Sequence, residues 1–147
     1  MLQRWLKSER SLDVALLWLR VTSASIMIAA HGWPKVLRFE RLWDRFPDPL
    51  GIGSAASVLC TIGTEVGCAL LLIAGLYTRL AALPLAFTMA IAAFVVHGAD
   101  PWSKKELAVL YMVVFLTLSV TGAGSLSIDG WRAKRRPRED QKRPQGS

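Results

Sequence analysis

The chain is poor in the residues from which self-contained catalytic centres are built. It carries two cysteines and two histidines in 147 residues. Cys60 and Cys68 share one apolar run and lie about 12 Å apart along a helix axis, too far for a disulfide without rearrangement. No CxxC pair, Gly-rich phosphate loop or credible Ser-His-Asp spacing occurs, so thiol redox chemistry, nucleotide binding and serine-type hydrolysis have no basis here. His31 and His97, even joined by Asp100, match no recognised metal or haem motif, and no metal site is expected.

Charge is also missing over long stretches. Hydrophobic residues make up 52% of the chain and mean hydropathy is +0.34, above what an ordinary soluble domain shows. The excess sits in four runs that start at Leu12, Gly53, Leu80 and Leu107. At about 1.5 Å per residue, each is about long enough to cross a hydrocarbon core of about 30 Å. A soluble bundle would need a polar stripe on every helix. The third run, LAALPLAFTMAIAAFVVH, offers only Thr88 before its final histidine. The expected fold class is therefore all-α: an integral membrane four-helix bundle with helices over about 12–31, 53–77, 80–97 and 104–123. These form one domain, residues 1–131, followed by a basic disordered cytoplasmic tail, 132–147. The first run has a basic lead-in but no clear small-residue cleavage site, and Arg20 interrupts it, so it reads as a retained helix rather than a signal peptide.

Lysine and arginine set the orientation. With both termini inside, the inner side holds Arg4, Lys7, Arg10, Arg79 and seven tail residues, 4 + 7 = 11, against six outside: Lys35, Arg38, Arg41, Arg45, Lys104 and Lys105. Both termini are expected to be cytoplasmic. Most of the formal +7, a net +5, belongs to the tail, a solvated topology anchor or a contact for anionic lipid; nucleic acid is not an expected partner.

Local signals supply boundaries. His31-Gly32-Trp33-Pro34 reads as the close of the first helix, with Gly32 in a left-handed cap. Pro84 falls in the expected opening turn of the third. Ser103 and Glu106 have capping-box spacing before the fourth. Trp5, Trp33, Trp43, Trp102 and Trp131 lie outside the spans or at their ends, as an aromatic belt would.

Two charges remain inside the spans, Arg20 and Glu65, at similar expected depth. A lone charge there costs at least about 2.5 to 3.5 kcal/mol, and a guanidinium can meet a carboxylate with two hydrogen bonds. An Arg20–Glu65 ion pair between helices one and two is the expectation. At about 100° per residue, Asp13, Arg20, Ala24, Met27 and His31 form one stripe, and Ser54, Thr61 and Glu65 share a face. Gly63 and Gly67 point the other way, as a GxxxG pair for close helix packing. Ala86, Ala90 and Ala93 line up beneath His97. Helices one and three both run outward to His-Gly, so His31 and His97 share the outer interface.

The runs LLWLRVTSASIMIAAHGWPK, TEVGCALLLIAGLYTRLAAL and ELAVLYMVVFLTLSVTGAGSLSID resemble the DoxX family of small four-helix bacterial membrane proteins, in the same order and over about Leu12 to Asp129. The elements carrying the resemblance are Arg20, His31-Gly32 with Lys35, Glu65 with Gly75 to Arg79, Glu106 with Leu110-Tyr111, and Gly122 to Asp129. Ala24 stands where that family often has glycine. The resemblance implies a bacterial inner-membrane location and a redox or oxidative-stress protein as partner, alongside membrane lipids; it carries over no cofactor common to the family. Three functional readings follow. One is a redox-linked accessory subunit with a quinone or similar lipophilic molecule in a pocket of Arg20, Glu65, His31, Lys35 and His97. The second is a non-catalytic anchor or assembly factor for a partner. The third is passage of a small solute along the polar stripe. No catalytic residue is assigned.

Overall fold

The computed structural model describes residues 9–135, and among them every regular element is helical. Four helical rods carry the fold. The first joins α1 (Glu9–Met27), a π-helical stretch (Ile28–Gly32) and α2 (Trp33–Leu37). A short α3 (Phe39–Leu42) and a loop lead to the second, which joins α4 (Ser54–Ile62), a π-helical stretch (Gly63–Cys68) and α5 (Ala69–Ala74). The third is α6 (Thr78–Ile91) with a π-helical stretch (Ala92–Val96), the fourth is α7 (Trp102–Thr121), and α8 (Ile128–Arg135) follows. Three stretches, Arg10–Leu37, Ser54–Ala74 and Thr78–Val96, are long and apolar enough to cross a membrane by length and composition.

The core is made of small and branched side chains that let the rods approach closely. Ala24 and Met27 of the first rod meet Ala69 and Leu72 of the second, Ala82 and Leu85 of the third, and Phe115 and Leu118 of the fourth, all fully buried. The outer faces remain apolar: Trp18, Leu80 and Phe87 are exposed, as a lipid solvent requires. Arg20 reaches Leu72 while Gly32 lies against Glu65, so the first two rods are antiparallel.

Several boundaries differ from the sequence reading. The first helix does not stop at His31. Gly32 is right-handed, at φ −70°, and the helix continues to Leu37. Pro34 falls in the first turn of α2 directly after the π stretch, where the ordinary i to i−4 ladder is already interrupted. Pro84 lies inside α6 rather than in its opening turn, because that helix begins at Thr78. Pro101 stands at the N-cap of α7, and no side chain caps it, so Ser103 and Glu106 form no capping box. Arg132 to Arg135, expected in the disordered tail, are helical in α8; the rest of the tail and Arg4, Trp5 and Lys7 lie outside the described residues.

The GxxxG expectation is overturned. A Cβ added at Gly63 or Gly67 meets nothing within 4 Å, and both glycines are exposed on the bundle surface. The close approach is at Gly32 instead. A Cβ there would lie 2.7 Å from Val66 Cγ2 and 3.2 Å from the Glu65 carbonyl oxygen, so glycine lets rod one rest on the backbone of rod two.

Thermal unfolding in detergent should separate these positions. Gly32→Val is expected to cost about 1–3 kcal/mol through overpacking. Gly63→Ala and Gly67→Ala should be neutral or stabilising by up to about 1 kcal/mol, as helix propensity dictates. Equal losses at all three would contradict the packing described.

Candidate functional site

The expected Arg20–Glu65 pair does not form, because the two side chains sit at different levels. Arg20 lies beside the end of rod two. Its Nη1 donates to the carbonyls of Leu72 and Ile73, both at 2.7 Å, and its Nη2 to the carbonyl of Leu126 at 2.5 Å. Glu65 stands seven residues back along rod two, about 10 Å along the axis. Its Oε2 accepts from Lys35 Nζ at 2.6 Å, and the two side chains are 3% and 22% exposed. Lys35 also donates to the His31 carbonyl, one turn back, at 3.2 Å.

The C-terminal segment holds the end of the bundle at which α1 begins, called inner for its place along the rods and not for a side of a membrane. Asp13 accepts from the amide and the hydroxyl of Ser125. Asp129 accepts from the amides of Tyr77 and Thr78, each at 2.9 Å, and so caps α6 from across the fold. Gly75, at φ +66°, leaves no room for a side chain beside the Arg20 guanidinium and Ser127. Arg20 therefore belongs to this inner clamp and not to the pocket wall.

Towards the outer end the rods separate around a cavity of about 570 Å³. His31, Lys35, Glu65 and His97 all line it, with Tyr111 from the fourth rod. The three π-helical stretches all contribute to its wall, through His31, Glu65 and Val96. A π turn is one residue wider than an α turn and breaks the regular ladder, a feature often found at functional sites. Most of the lining is apolar, so the Lys35–Glu65 pair is a polar spot in a greasy wall. Buried Nε2 of His31 has no hydrogen-bond partner among the described residues, and its ring packs edge-on to Tyr111 at 5.8 Å. Thr64 and Thr88 hydroxyls meet at 3.1 Å, tying rod two to rod three beside the cavity.

His97 marks the outer rim. Its Nδ1 lies 2.8 Å from Asp100 Oδ2, a hydrogen bond that, with Lys104 and Lys105 nearby, holds the Asp100 carboxyl below the usual carboxylate range. The roof comes from the loop after α3, whose Phe46, Leu50 and Ile52 face the cavity. Asp48 pins that roof to rod two: its carboxylate accepts from the amides of Ile52 at 3.0 Å and Gly53 at 2.8 Å, and from Ser57 Oγ at 2.8 Å. The Gly53 amide, assisted by Ser57 and Ile52, lowers the Asp48 pKa despite some loss of solvation. The sequence reading gave Asp48 no such role. Asp48 stands six residues ahead of Ser54, outside N-cap spacing, and Gly53 occupies the N-cap, so only the turn-forming Pro49, Gly51 and Gly53 marked the loop in the sequence.

Because the folded-state pKa of Asp48 is depressed, its contribution is complete above the unfolded value of about 4 and is lost as pH falls through the folded value. Hydrogen exchange at Ile52 and Gly53, corrected for intrinsic rates, should stay slow at neutral pH and lose protection below about pH 4. Asp48→Ala should remove that protection at neutral pH. Unchanged protection in the variant would show that the roof is held by something else.

Comparison with known proteins places the chain. A sequence profile of the DoxX family matches residues 15–98, more than half of the chain. An uncharacterized protein of Haemophilus influenzae is 32% identical over 96 residues, 62% of this chain and 64% of that protein. A second uncharacterized protein of the same organism is 34% identical over 125 residues, 78% of this chain and 87% of that protein. No solved structure matches. With the profile spanning three rods and His31, Lys35, Glu65 and His97 inside it, the chain belongs to the DoxX family.

Proposed function

We propose that this DoxX-family membrane protein is a redox-linked accessory subunit of the bacterial inner membrane that holds a lipophilic, carbonyl-bearing molecule of the quinone class in its outer cavity. In this reading α7 is the fourth crossing and both termini are cytoplasmic. Its 20 residues span about 30 Å, and the lysine and arginine bias favours the orientation. The observation that carries the reading is the Lys35–Glu65 pair in the wall of an otherwise apolar cavity. A volume of about 570 Å³ is within the usual range for small-molecule sites, which are mostly apolar with a few placed polar groups.

The residues suit such a ligand. Lys35 has three N–H donors; two serve Glu65 and the His31 carbonyl, which leaves one for a ligand carbonyl oxygen. Glu65 keeps the ammonium aimed and compensated. Lys35 then stabilises negative charge that develops on that oxygen. His31 lines the cavity with its ring against Tyr111 and shapes the wall beside Lys35, while its Nε2 is buried rather than open to a ligand. A quinone there supplies two-electron, two-proton carriage, and a partner redox protein supplies or accepts the electrons. The fit is to the Lys35 side of the cavity and leaves Arg20 out.

Mass spectrometry of organic extracts from the protein, purified in mild detergent, tests this. A quinone should copurify near one per chain and vanish from a Lys35→Leu/Glu65→Leu double variant. That variant should fold, because replacing both members of a buried pair by apolar residues is often neutral, whereas Lys35→Leu alone leaves a bare carboxylate at a cost of about 3–5 kcal/mol. No enriched lipophile in the wild-type extract would sink the ligand reading. For orientation, single thiols from Glu40→Cys and Arg79→Cys, each in a cysteine-free background, should label from opposite sides of the membrane; labelling from one side would refute the four-crossing topology.

A further inference from the structure

The cavity is long and lies along rod three. Its wall there runs from Pro84 to His97, thirteen steps or about 20 Å at 1.5 Å per residue, so it reaches from the outer end of that rod past its middle. Depths of that order lie inside the hydrocarbon region of a bilayer.

Two of its boundaries are closed. Asp48 fastens the roof to the start of rod two, and the core of Leu72, Leu85, Phe115 and Leu118 fills the bundle on the inner side. The side between rods two and three is different. Cys60 and Phe87 line the cavity and both are exposed, Phe87 by 57%. Rods two and three pack on each other through the π-helical stretch and α5 against α6, with Thr64 meeting Thr88; outward of that hydrogen bond α4 packs on α2 and α3 of the first-rod side instead. A fissure therefore leads from the cavity to the surface outward of the Thr64–Thr88 hydrogen bond, with Cys60 beside it on rod two and Phe87 at its inner margin on rod three.

Resting on the ligand reading above, we infer that the cavity is loaded sideways from the bilayer through this fissure, and that its occupant is an amphiphile with a long isoprenoid or acyl tail. The hydrogen-bonding head lies at Lys35 and Glu65, and the tail leaves between Cys60 and Phe87 into lipid. An opening within the apolar length of rods two and three suits a molecule already dissolved in the hydrocarbon. A water-soluble solute would have to cross that hydrocarbon to reach it. The apolar wall between Pro84 and Val96 then accommodates the first part of the tail.

Cys60 gives a direct handle, because Cys68→Ala leaves it as the one thiol of the chain. The full chain in lipid nanodiscs would be titrated with a short-tailed and a long-tailed benzoquinone, before and after attachment of a bulky maleimide at Cys60, with melting measured to verify folding. The adduct should weaken the long-tailed quinone by about tenfold or more and change the short-tailed one by less than about twofold. Cys60→Trp should repeat the pattern without chemical modification. If both quinones bind the unmodified protein and the adduct affects neither, or both alike, the lateral route is wrong while the ligand reading stands. If the unmodified protein binds neither, the ligand reading fails and the route with it.

Discussion

One cation holds the inner end of the molecule together. The last carbonyls of a helix have no partner within it and carry the negative end of its dipole. Leu72 and Ile73 are in the last turn of rod two, and Arg20 donates to both and to Leu126. A guanidinium with five donors in a fixed fork thus joins rods one and two to the C-terminal segment without a carboxylate in direct contact. The arrangement needs Gly75, whose missing side chain makes room for the guanidinium. With Nη1 and Nη2 of Arg20 held by carbonyls and its Nε buried without a partner among the described residues, Glu65 pairs with Lys35 instead, so the character of the outer cavity depends on a choice made at the other end of the bundle.

The two ends use their charges differently. At the inner end Asp13, Arg20 and Asp129 are spent on backbone amides, carbonyls and Ser125, leaving a rigid knot. At the outer end the paired side chains line a space. Lys35 bonds to Glu65, His97 to Asp100, and His31 keeps a ring nitrogen unpartnered among the described residues. Removing only one member of a buried pair is costly, so such a pair tends to be kept or lost as a unit.

Much of this was legible in the residues, and what was not has physical causes. The apolar runs located the rods to within about three positions except at the end of the first, which continues from His31 to Leu37, and the stripe through Arg20, Ala24 and Met27 is buried as the 100° periodicity implies. Periodicity gives direction but not level. Glu65 and Leu72 lie on one face of rod two, and nothing in the sequence says which of them stands opposite Arg20. Glycine and proline were misread for a related reason. Gly32 and Pro34 signal a stop in a regular α-helix, but after a π turn the proline removes no regular bond, and the glycine serves contact with Glu65 and Val66. Gly63 and Gly67 have the spacing of a packing motif, yet spacing in one chain cannot supply the neighbour. Asp48 and Asp129 were missed because each acts on backbone amides whose position only the folded loops define.

The π-helical stretches give the protein an unusual sensitivity to length. Each holds about one residue more than the turn an α-helix would make, and everything beyond it is rotated by about 100° relative to a regular helix. Deleting one residue from Ile28–Gly32 would shorten the first rod by a negligible amount for a bilayer, yet turn Trp33–Leu37 about its axis and swing Lys35 off Glu65. In rod three the same deletion within Ala92–Val96 would rotate His97 away from the cavity rim. Single-residue gaps are therefore harmless to membrane fit and ruinous to the cavity, the reverse of the tolerance expected of a helix whose only task is to cross.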